Sequence, residues 1–87
     1  MPKRTDRNQP DIVAALRKMG ASVTTTHMVG HGFPDLVIGF RGVTLLAEVK
    51  NGEAGLTEDE RAWHAVWRGQ VVIVRTLDDV AALLGVT

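Results

Sequence analysis

Residues 32–50 read GFPDLVIGFRGVTLLAEVK. Asp35–Phe40 and Val43–Val49 are apolar runs rich in β-branched residues, the composition of strands. Arg41-Gly42 between them is a two-residue turn with glycine second, so the stretch predicts an antiparallel hairpin. A symmetric turn pairs Phe40 with Val43, and outward from there Ile38 with Leu45, Val37 with Leu46 and Asp35 with Glu48. Directly opposed residues share a face, their Cβ atoms about 4.5–5.5 Å apart. Lys50, two residues beyond Glu48, shares it as well. The register thus brings two carboxylates and an ammonium together at one end of an otherwise apolar hairpin. A bulge or an asymmetric loop would shift that pairing.

The flanking segments supply the rest of an α/β domain. In DIVAALRKMGA, from Asp11, the residues Ile12, Val13, Leu16 and Met19 recur at helical spacing, and Gly20 offers a stop. SVTTTH, from Ser22, reads as a strand. MVGHGFP is a loop, its glycines suited to a sharp turn or a close backbone approach. LTEDERAWHAVW, from Leu56, predicts a second helix opened by a Thr57/Glu60 capping box. QVVIVRT reads as an inner strand, and TLDDVAALLG as a last helix with a Thr76/Asp79 capping box. The order is αβββαβα, with a mixed central sheet flanked by helices.

At 87 residues and 45% hydrophobic, the chain has material for one core. We expect a basic, flexible arm over residues 1–7 and a single domain over 8–87. There is no cysteine, which removes disulfides and thiolate metal sites and favours an intracellular, cytoplasmic setting. MPKRTDRNQ has no apolar stretch of the signal-peptide kind, and no run approaches the roughly 18 apolar residues of a membrane span, so no membrane partner is expected. The formal net charge is zero, which argues against avid non-specific nucleic-acid binding.

Two carboxylates facing each other across a sheet repel. A divalent cation would offset that cost, since hard cations take carboxylate oxygens, and the Val49 carbonyl could add a neutral ligand. Lys50 could orient a water or stabilise charge on a phosphate. The plainer alternative makes Asp35 a turn residue after Pro34, with Glu48 and Lys50 solvated at the sheet end.

Pro34-Asp35 followed by Glu48-Val49-Lys50 resembles the PD-(D/E)XK nuclease signature. The longer stretch from Thr26 to Asp79 is similar to small stand-alone VRR-Nuc domains of phages and prophages, and the likeness runs from about Asn8 to Leu84. It implies a restriction-endonuclease-like αβββαβ(α) core in a bacterial, phage- or prophage-encoded protein. It further implies that Asp35, Glu48 and the Val49 carbonyl bind Mg²⁺ or Mn²⁺ while Lys50 assists the attacking water. The implied activity is a Holliday-junction-resolvase-like, structure-selective endonuclease, a homodimer cutting branched or four-way DNA. A non-catalytic junction-binding or assembly module on the same fold is the rival, and cutting of ordinary duplex ends a third possibility.

Relatives often carry a glutamate on the first helix. Here Gln9 or Asp11 stands nearest, with helix capping the other role open to Asp11. They also often carry a glutamine early in the helix after the EVK strand, where Glu60 stands, with its capping box as the other role. Lys3, Arg4, Arg7, His31 and Arg41 are candidate phosphate contacts. His27, His31 and His64 fit no compact zinc motif, and His64 is expected near the sheet or on the helix surface. Trp63 and Trp67, one turn apart, are expected to face the sheet or a dimer interface rather than nucleobases.

Overall fold

The computed structural model describes residues 6–85. The chain runs α1 (Gln9–Lys18), β1 (Ser22–Thr25), β2 (Leu36–Phe40), β3 (Val43–Val49), α2 (Glu58–Val66), β4 (Val72–Val74) and α3 (Leu77–Leu84), the expected element order. The four strands form one mixed sheet in the order β1-β2-β3-β4. β1, β2 and β3 are an antiparallel meander, and β4 runs parallel to β3.

The central hairpin has the symmetric register, Phe40 opposite Val43 and Leu36 opposite Ala47. Arg41 and Gly42 both have positive φ, 50° and 81°, as a type I′ turn requires. Arg41 gains an attraction by lying over the Phe40 ring, 4.9 Å from its centroid.

Alternation along the strands splits the sheet into two different faces. Leu36, Ile38, Ala47, Val49 and Val74 are buried together with Ile12, Val13 and Leu16 of α1 and Val80 and Leu84 of α3. That face is the hydrophobic core. The opposite face carries Glu48 and, past the strand end, Lys50, and α2 lies over it through polar contacts. The only buried residue of α2 is Glu60.

Two expectations change. QVVIVRT is not an inner strand: β4 keeps three residues and lies at the sheet edge, with Ile73 exposed. A short apolar run does not say how many neighbours a strand has. Just before β4, Gln70 continues the pairing with its side chain, its Oε1 accepting from Leu46 N–H and its Nε2 donating to Leu46 C=O, at 2.7 and 3.0 Å. Nor do Trp63 and Trp67 enter the core. The sheet-facing stripe of α2 is taken by charged and polar groups, and Trp67 remains 41% exposed.

Both capping boxes form, Thr57 with Glu60 and Thr76 with Asp79. Among the described residues no helix is long and apolar enough to cross a membrane.

Candidate functional site

The site gathers at the sheet end where β2 begins and β3 finishes. Thr26 N–H donates to Asp35 C=O at 3.0 Å, so β1 holds the Asp35 backbone one step beyond the Thr25–Leu36 pair. Extending the β2–β3 register by the same step sets Asp35 opposite Glu48. The Asp35 carboxylate turns toward β3, its Oδ2 accepting from Val49 N–H at 2.8 Å. Asp35, Glu48 and Lys50 are all buried, Glu48 completely.

From above, α2 answers with residues one turn apart. Glu60 Oε1 lies 2.5 Å from Lys50 Nζ, and His64 Nε2 lies 3.6 Å from Glu48 Oε1. A helix presents i and i+4 on one face, and a strand presents i and i+2 on one face. Glu60/His64 and Glu48/Lys50 thus meet as two short rows of complementary groups. The same Glu60 oxygen also accepts from Thr57 N–H at 2.9 Å. Glu60 therefore fills the capping-box role and is in addition the partner of Lys50, a contact that sequence reasoning did not name.

The loop between β1 and β2 makes this approach possible. Gly30, His31 and Gly32 all have positive φ. A Cβ on Gly32 would fall 2.2 Å from the Asp59 carbonyl oxygen. At Gly32 the backbone comes close to the first turn of α2, which seats Glu60 over Lys50.

The N-terminus of α1 reaches the same end of the sheet. Asn8 Nδ2 donates to Lys50 C=O and to Arg75 C=O, both at 3.0 Å. Next to it Gln9 is 5% exposed, and its Oε1 has no hydrogen-bond partner. Asp11 is exposed, because residues two apart on a helix point about 200° away from each other. Of the two first-helix candidates, only Gln9 turns inward. Asp11 does not cap α1 either, since the N-cap is Asn8.

Among the described residues no group of three or more His, Asp or Glu is arranged as a metal cage. The oxygen donors at this end are the Asp35 and Glu48 carboxylates and Gln9 Oε1, with the His64 imidazole beside Glu48. That set fits a hard cation such as Mg²⁺ or Mn²⁺, which is bound by one or two carboxylates and keeps several waters. It does not fit a closed zinc site.

The candidate phosphate contacts scatter. His31 and Arg7 are exposed, and Arg41 is at the hairpin tip, the opposite end of β2 and β3 from Asp35. Lys3 and Arg4 lie outside the described residues. Sequence reasoning missed Asn8 and His64 as members of the site. The four-residue interval from Glu60 to His64 was the available signal for His64. Nothing local marked Asn8, whose partners are 42 and 67 residues away. In comparisons with known proteins, no family model, curated protein or solved structure matches the chain.

Proposed function

We propose that this chain is a Mg²⁺- or Mn²⁺-dependent, structure-selective endodeoxyribonuclease that cuts branched or four-way DNA as a homodimer. The observation that carries the reading is the burial of Asp35, Glu48 and Lys50 at one sheet end, away from the hydrophobic core. Burying like charges across a ladder costs stability. A cation held by the Asp35 and Glu48 oxygens would offset that cost and polarise a phosphate oxygen or a water.

The residues of the chain then divide the work. Asp35 is oriented by the Val49 N–H, and its carboxylate would hold the cation together with Glu48 and the Val49 carbonyl. Lys50 stabilises negative charge developing on the phosphate or holds the attacking water. Glu60 aligns the Lys50 ammonium, and Gln9 offers a neutral oxygen. Water attacks phosphorus in line, and the 3′ oxygen leaves with a proton. Two symmetric cuts in a four-way junction call for two such sites related by a two-fold axis.

Four-way, flap and linear DNA should be compared with Mg²⁺, Mn²⁺ and EDTA. Cleavage is expected on the branched substrates, dependent on the cation, and abolished by Asp35→Ala and Lys50→Ala. Unchanged cutting by both variants would remove the reading.

One observation favours a second reading. Lys50 is already engaged by Glu60, as in a purely structural ion pair, and a non-catalytic junction-binding module would need nothing more of it. Cation-dependent turnover by the wild-type protein would eliminate that alternative.

A further inference from the structure

Beside the carboxylates stands an aromatic row that the proposed cleavage chemistry does not use. Phe33, two residues before Asp35, meets Trp63 edge-on with ring centroids 5.5 Å apart. Trp63 stacks on Trp67 at 4.7 Å with 22° between the planes. The row begins at the site and runs outward along α2 to Trp67, which is 41% exposed.

Trp67 is exposed but not loose. Its Nε1–H donates to Gln70 C=O at 3.1 Å. The Gln70 side chain is fastened to the Leu46 backbone by two hydrogen bonds. Gly69 lies so close to the indole that a Cβ there would fall 2.9 Å from Trp67 Nε1. The ring is thus held from the Trp63 side, from the turn and, through Gln70, from β3. Ordering a large aromatic side chain in contact with water costs entropy and returns little burial. In a binding surface the same rigidity lowers the entropy lost on association. Arg68, which follows Trp67 directly in sequence, is exposed as well.

We propose that Trp67, braced by Trp63, is a stacking platform for an unpaired nucleobase of the DNA strand that passes the Asp35–Glu48 site. The inference rests on the DNA-cleaving reading and names its substrate feature: a strand that leaves the duplex next to the cut. An indole stacks on any base, because every base has a π face, so the platform reads unpairing rather than sequence. A phosphate next to the stacked base would lie within the field of Arg68.

The test is binding of a fluorescein-labelled oligothymidylate to the full chain in EDTA, followed by anisotropy and by quenching of tryptophan emission. Wild-type protein should bind saturably with quenching. Trp67→Ala should bind roughly tenfold more weakly, as expected for the loss of one base–aromatic stack. Trp67→Phe should recover most of the affinity, and circular dichroism should show both variants folded. Lys18→Ala, at an exposed lysine in the last turn of α1, should bind like wild type, which separates the platform from general charge attraction. If wild type cuts branched DNA yet Trp67→Ala binds oligothymidylate equally well, the platform is wrong and the nuclease reading stands. If Trp67→Ala weakens binding but no DNA is ever cut, the platform stands and the nuclease reading falls. Dissociation of a wild-type dimer by Trp67→Ala with unchanged oligothymidylate affinity would assign the row to a second copy of the chain and overturn the proposal.

Discussion

Lys50 Nζ lies 2.5 Å from Glu60 Oε1, both side chains buried, and the same carboxylate oxygen closes the capping box of α2. One carboxylate thus ties Lys50, just past the end of β3, to the first turn of α2. Breaking a buried pair by removing one partner is expected to cost about 3–5 kcal/mol, because the other charge stays buried. Glu60→Gln keeps a capping-box side chain and should show mainly that loss. Glu60→Ala should lose roughly a further 0.5–2 kcal/mol of capping energy. Lys50→Met with Glu60→Gln should recover part of the deficit. Urea denaturation of wild type, Lys50→Met, Glu60→Gln and the double variant as a double-mutant cycle, with Glu60→Ala alongside, measures each quantity.

Asp35 and Glu48 meet across the sheet end, so a bound cation should stabilise the fold. Mn²⁺ at 100 times its dissociation constant should add about 2.7 kcal/mol and raise the melting temperature. Asp35→Asn can still accept from Val49 N–H and should fold, but it should lose most of the Mn²⁺-induced shift. Asp35→Ala also leaves that buried N–H unsatisfied and should cost about 1–3 kcal/mol without metal. Thermal melts with and without Mn²⁺ report both effects; an equal shift in wild type and Asp35→Asn would detach the cation from Asp35.

Gly32 and Gly42 make a controlled pair. Both have positive φ, but a Cβ on Gly42 meets nothing within 4 Å, whereas one on Gly32 strikes the Asp59 carbonyl. Gly42→Ala should cost only the left-handed backbone penalty, about 1–2 kcal/mol. Gly32→Ala should cost more than that, and amide exchange should accelerate along α2 while the β1–β2–β3 meander keeps its protection.

Asn8 donates from one amide to two carbonyls, Lys50 C=O and Arg75 C=O. Asn8→Ala leaves those acceptors short, at about 1–3 kcal/mol. Asn8→Asp places an acceptor-only group against them and should be the more damaging change near neutral pH. Chemical denaturation ranks the two, and the reverse order would mean that the latch is not what joins α1 to the ends of β3 and β4.

Much of the fold was legible because its signals are local. The Arg41-Gly42 turn sets the β2–β3 register through the positive φ of both residues, and that register places Asp35 opposite Glu48 without reference to the rest of the chain. Thr57/Glu60 and Thr76/Asp79 fix two helix starts within four residues. β4 was misread as an inner strand because burial of a short apolar run is a property of its neighbours, and Gln70 supplies part of that pairing from a side chain.

The sequence by itself determined which residues share a face: Glu48 with Lys50 at strand spacing, Glu60 with His64 at helix spacing, and Gln9 against Asp11 on opposite sides of α1. Only the tertiary structure decided which faces meet. Packing α1 and α3 on the Leu36–Ile38 face leaves the charged face to α2. It turns Gln9 inward and Asp11 outward, puts His64 beside Glu48, and holds Trp67 at the surface. Periodicity fixes an angle around one element's own axis. The rotation of that axis against a neighbour is set by contacts such as Gly32 with Asp59 or Asn8 with Arg75, which join residues far apart in the chain.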